Sequence, residues 1–224
     1  MEINVFQDPI VWRLANVPIT ETMLVSLVTG ASLVGVAYGL ARAAQNGSRR
    51  ALGALAEMAV EMLDDLVADI LGRREAWVVT FSGSLFLFIA ASTLASQLPG
   101  VPSALANLST TSALAAIVFL AVPIAGVHAR GMVGYVKHYF QPNPFFLPLH
   151  LISEISRTVA LSVRLFGNML SGNLIVAILV SLVGVLVPMP LMALDLLIGF
   201  LQAYIFTILS TVYIGAAIRT GEEV

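Results

Sequence analysis

The sequence contains no cysteine, which excludes disulfides and thiolate metal sites and leaves the redox compartment unmarked. Charge is scarce as well. Asp, Glu, Lys and Arg make up 11% of the 224 residues, where a soluble domain has roughly 25%. Apolar residues supply 58% and the mean hydropathy is +0.94, so the composition is that of a polytopic membrane protein. Histidine occurs three times. His128 and His138 have no third residue at metal-ligand spacing, so no metal or other cofactor is expected. The net charge of −2 says little about nucleic acid, but no basic run is long enough to suggest such a partner, and none is expected. Residues 1–21 have no basic leading segment and are interrupted by Pro9 and Pro18, which is not the shape of a signal peptide.

What is present is a series of long apolar stretches, expected to form a single membrane domain. After an outer N-terminal segment, 1–21, residues 22–41 are long enough to cross a bilayer. Gly30, Gly35 and Gly39 in this span suit close packing on a neighbour. Residues 48–71 differ. Leu52, Leu55, Ala59, Met62, Leu63, Leu66 and Ile70 recur at helical spacing, with Glu57, Glu61, Asp64 and Asp65 on the other side. This is an amphipathic interfacial helix, with Ser48 as a candidate N-cap. Its polar face is acidic, so it is expected to look toward water or a partner subunit. Residues 77–98 and 112–127 are the second and third spans, the latter containing Pro123. A fourth unit covers 148–187 and a fifth 191–218, joined through Pro188-Met-Pro190. At 1.5 Å per residue the fourth would be about 60 Å long. The hydrocarbon core is about 30 Å thick, so this helix must tilt steeply or lie partly in the interface.

Basic residues set the orientation. Arg42, Arg49, Arg50, Arg73 and Arg74 lie between spans one and two, Arg130 and Lys137 between three and four, and Arg219 after five. The positive-inside rule makes those three places cytoplasmic. The fold class read from this is all-α: five passes plus one interfacial helix, N-terminus outside and C-terminus inside.

Arg164 stands inside the fourth apolar unit. An arginine at a helix centre costs about 2.5–3.5 kcal/mol on insertion scales, and such residues mark ion or substrate paths; the alternatives are snorkelling or tying two helices together. Arg157, Arg164, Asn168 and Ser171 form one stripe at 100° per residue, and Asn173 points to nearly the opposite side. On the fifth unit Asp195 and Gln202 are seven apart and share a face.

The run Arg164-Leu-Phe-Gly-Asn-Met-Leu-Ser-Gly172 resembles the signature of subunit a of F-type ATP synthases, and Leu201-Gln-Ala-Tyr-Ile-Phe-Thr-Ile-Leu-Ser-Thr-Val-Tyr213 resembles that family's final helix. The order of segments fits over nearly the whole chain. The resemblance implies a non-catalytic ion-channel subunit in the stator, with a tilted hairpin of the last two helices lying along the c-ring. Two offset half-channels would reach the ring from opposite sides, and Arg164 would stand between them. Asn168 and Gln202 match polar positions beside that arginine. Family members commonly pair a glutamate or histidine at the position of Asn173 with the complementary group at that of Asp195. Here only Asp195 is ionisable, and it is expected to line the outer half-channel. His150 and Glu154, one turn apart, fall where the family has its inner half-channel mouth; Glu154 could equally pair with Arg157. The implied partners are the c-ring, the subunit b stalk, the remaining synthase subunits and membrane lipid. The implied place is a bacterial inner (plasma) membrane. Protons are the expected coupling ion, and sodium, as in the sodium-linked variant of the family, is the alternative.

Two other classes fit less well. A rhomboid-like protease needs Gly-x-Ser-Gly, but Met169 precedes Leu170-Ser171-Gly172, and the zinc-protease motif His-Glu-x-x-His is absent. A secondary transporter would show an internal inverted repeat, and none is evident.

Overall fold

The computed structural model describes residues 10–14, 17–45, 50–98, 101–139, 147–184 and 187–219. Strands β1 (Ile10–Leu14) and β2 (Val17–Thr20) form an antiparallel hairpin ahead of the helices, with Arg13 opposite Pro18 and Leu14 opposite Val17. Its β-branched and aromatic residues favour extended backbone. The described residues form helices α1 (Glu21–Gln45), α2 (Arg50–Leu71), α3 (Ala76–Ser96), α4 (Leu108–Tyr139), α5 (Leu147–Val183) and α6 (Met189–Arg219), with a 3-10 turn at Ala104–Ala106. All but α2 contain a stretch long and apolar enough to cross a membrane. The proposed N-cap, Ser48, lies outside the described residues.

One difference from the sequence reading concerns α4. The sequence places the third span at 112–127 and a connection beyond it. The helix runs from Leu108, across Pro123, to Tyr139, interrupted at Gly131. Gly131 has φ 74°, a conformation that costs glycine little and other residues more. The helix is therefore redirected at Gly131.

Two apolar clusters hold the bundle. In one, Leu85 and Ile89 of α3, Leu114 and Val118 of α4, Leu161, Leu165 and Met169 of α5, and Phe206 of α6 meet around Leu105. In the other, Val67 and Leu71 of α2 pack with Val78, Ala121, Ile214 and Ile218. Thus α2 docks on the spans through its last two turns. The polar side of α2 is partly neutralised by its own chain: beyond the turn at Gly72, Arg74 pairs with Asp64 at 2.9 Å and Asp65 at 3.1 Å. Glu57, Glu61 and Asp69 remain exposed.

Helices α3 and α6 run antiparallel in a fixed register. Ser82 and Thr211 share a buried hydroxyl–hydroxyl hydrogen bond of 2.7 Å. Further along, Thr93 lies against Gly199. Helix α5 is far barer: among its described residues only Leu161, Ser162, Leu165 and Met169 are buried, against eight in the shorter α3. Its inward stripe is narrow, and Val159, Val163, Ile152 and Leu182 are exposed.

Candidate functional site: a polar seam between the last two helices

The inward stripe of α5 recurs every four residues, Leu161, Leu165 and Met169, so it is one edge of a helix. That edge leaves Arg164 and Asn168 on an exposed flank, while Asn173 falls on the other flank, half-buried. On α6 the seven-residue spacing puts Asp195 and Gln202 on the buried side.

The two helices are joined across the seam at two polar points. Asn168 Nδ2 donates to Gln202 Oε1 at 2.8 Å. The guanidinium of Arg157 stacks on the Tyr213 ring, 4.3 Å from its centroid, within cation–π range. Arg164 lies between them, about 6 Å along the axis from Asn168 and about 10 Å from Arg157 at the helical rise. Its side chain is exposed and has no hydrogen bond or ion pair with the described residues. Beside it, a Cβ added to Gly167 would meet nothing within 4 Å, so the surface there is open.

Gln202 is 2% exposed, and its Nε2 has no partner among the described residues. Other polar groups of α6 are occupied locally. Thr207 donates to Ala203 O, and Ser210 and Thr211 donate to Thr207 O. Toward the Arg164 end of the seam, Asp195 and Gln202 are the α6 polar groups whose bonds lead out of their own helix, while Thr211, farther along, also bonds Ser82 of α3.

Asp195 is buried where α3, α5 and α6 meet. Gln97 Nε2, at the end of α3, donates to its Oδ2 at 3.2 Å. Against α5 the carboxylate fills the space at Gly172: a Cβ there would collide with Oδ1 and lie 2.7 Å from Cγ. The expected pairing of Asn173 with Asp195 takes a different form. Gly172, on the inward stripe, meets the carboxylate, and Asn173 makes no side-chain hydrogen bond with the described residues. His150 is exposed and Glu154 half-buried, both in the first two turns of α5. They lie more than two turns from Arg164.

Sequence reasoning missed Gln97, Gly172 as a contact and Tyr213. Gln97 had an available signal: by the charge rule, the end of span two and the start of span five lie on the same side of the membrane, and it is the amide there.

The family model described as ATP synthase A chain matches residues 23–215. The chain belongs to the ATP synthase A chain family. A protein named ATP synthase subunit a 1 from Chlorobium luteolum is 40% identical over 215 residues, covering 96% of each chain. One of the same name from Prosthecochloris aestuarii is 39% identical over 217 residues, covering 96% of this chain and 97% of that one. ATP synthase subunit a 2 of a Picosynechococcus species is 46% identical over 167 residues, 75% of this chain and 72% of the relative. As an ATP synthase subunit a it is a non-catalytic, multi-pass component of the Fo membrane sector. The seam described above is therefore a feature of a subunit that works in association with other ATP synthase subunits.

Proposed function

We propose that this subunit conducts protons between two offset half-channels against the c-ring and so couples their flow to ATP synthesis or hydrolysis. One observation carries the reading. Arg164 is a cation in an apolar helix, exposed, with no counter-charge among the described residues. A charge so placed calls for a partner from outside the chain. A carboxylate on each rotor subunit supplies it, and the bare face of α5 that carries Arg164, with exposed Ala160 and Gly167 beside it, is where the ring runs, with α5 and α6 steeply tilted along it.

Arginine is suited to this task because a guanidinium stays charged within proteins and offers a planar fork to a carboxylate. It favours the ionised form of each passing rotor carboxylate and so promotes release of the proton there. It also repels cations that would cross directly between the half-channels. Asn168 and Gln202 hold the seam beside it, and Gln202 Nε2 offers a donor to water or to the rotor carboxylate. Asp195, with Asn173 on the neighbouring flank, receives protons from the outer side. His150 and Glu154 flank the inner mouth. The N-terminus lies outside, the C-terminus is cytoplasmic, and the bacterial inner membrane and the subunit b stalk complete the setting. Each charge crossing 100 mV delivers about 2.3 kcal/mol.

The test is ATP-driven acidification of inverted vesicles containing the complex, with and without sodium. Acidification indifferent to sodium supports the proton path. Sodium uptake replacing acidification would make sodium the coupling ion. Movement of neither ion in a coupled preparation would remove the channel reading.

A further inference from the structure

The packing of α3 on α6 has a consequence for Asp195. Thr93 and Gly199 mark a close approach of the two helices: a Cβ on Gly199 would collide with Thr93 Cγ2 and lie 3.0 Å from its Cβ. One turn further along α3 is Gln97, and one turn back along α6 is Asp195. Because the helices are antiparallel, these two must face each other, and they do. The Ser82–Thr211 bond keeps the same register at the other end. The Gln97 backbone is itself fixed at the end of α3, its N–H bonded to Ala95 O and Leu94 O. The amide therefore projects from the end of α3 toward the carboxylate.

We propose that Gln97 is a positioning residue for Asp195, holding Oδ2 toward α3 so that Oδ1 faces α5 at Gly172. The inference rests on the reading that Asp195 lies in the ion path. A carboxylate accepts at about four lone-pair sites, and the amide occupies one of them. The remainder stay open to water or an arriving proton. Without the amide, the side chain is free to leave the notch at Gly172, and the oxygen that takes part in transfer is no longer held at the seam. Gln97 never touches the rotor in this scheme; it acts only through Asp195.

The experiment uses the intact complex in inverted vesicles, with ATP-driven ion pumping normalised to ATP hydrolysis. Gln97→Met keeps the length of the side chain and removes the donor. It is expected to slow pumping about tenfold, the scale of one hydrogen bond to a charged group. Gln97→His restores a ring N–H and is expected to recover most of the rate. Gln97→Asn keeps an amide but falls one methylene short, so it should slow pumping as Met does, and it serves if the Met variant fails to assemble. Equal slowing by Met and His would overturn the proposal, since packing alone would then explain the residue. Wild-type pumping in both Met and Asn variants would also overturn it. Asp195→Asn, measured in parallel, separates the two levels. If it slows pumping while the Gln97 variants do not, only the positioning role fails. If Asp195→Asn pumps at the wild-type rate, the ion-path reading of Asp195 fails and the role of Gln97 falls with it.

Discussion

Asn168 Nδ2 donates to Gln202 Oε1 at 2.8 Å, joining α5 to α6 one helical turn from Arg164. The two partners are unequally placed, Asn168 exposed and Gln202 buried. Truncating the exposed partner strands the buried one. In Asn168→Ala the Gln202 Oε1 loses its partner and the buried amide is left with none among the described residues, at a cost of about 1–3 kcal/mol for an unsatisfied buried group. Gln202→Leu removes the buried amide, losing only the bond itself, about 0.6 kcal/mol on average between membrane helices. Asn168→Ala should therefore lower the temperature at which the solubilised complex loses this subunit more than Gln202→Leu does. The reverse order would show that Gln202 is not the buried member of the pair.

Gly172 should tolerate no side chain. Alanine is the better helix former by about 1 kcal/mol, yet its Cβ would occupy the place of Asp195 Oδ1. Gly172→Ala is thus expected to assemble normally and pump at least about tenfold more slowly, because the carboxylate has moved. Gly35→Ala, on α1 where a Cβ meets nothing within 4 Å, should leave pumping unchanged. Pumping measured in vesicles against the amount of assembled complex decides between them.

Gly199 sets the spacing of α3 and α6. Its alanine variant forces Thr93 away and with it the end of α3 that carries Gln97. Gly199→Ala should lower both assembly and pumping. Adding Thr93→Ala removes Cγ2 and Oγ1 but leaves a Cβ at 3.0 Å, so recovery should be partial. A Thr93→Ala change that gave no recovery at all would place the fault elsewhere than in this contact.

How much of this was legible in the chain depends on the kind of signal. The apolar spans could be read because a bilayer demands about 20 apolar residues per crossing, and Arg164 stood out against that background. The stripe of Arg157, Arg164, Asn168 and Ser171 followed from helical periodicity. The opposition of Asn173 followed in the same way. Helical periodicity does not give the register between helices. Nothing along the chain showed that Asn168 meets Gln202, or that Gly172 and not Asn173 abuts Asp195. Those contacts depend on how closely α6 approaches α3 and α5, which glycines at 172 and 199 set. The span at 112–127 is shorter than α4 because the polar residues after 127 resemble a loop, although they remain helical as far as the Gly131 break and again beyond it.

The most direct measurement is ATP-driven ion pumping by the complex carrying Arg164→Ala, alongside its ATP hydrolysis. The expected result is loss of pumping with hydrolysis by the soluble portion retained, because the fixed charge between the half-channels is gone while the catalytic sites are untouched. Pumping at the wild-type rate in a fully assembled Arg164→Ala complex would contradict the role given to this residue and, with it, the channel reading of the seam.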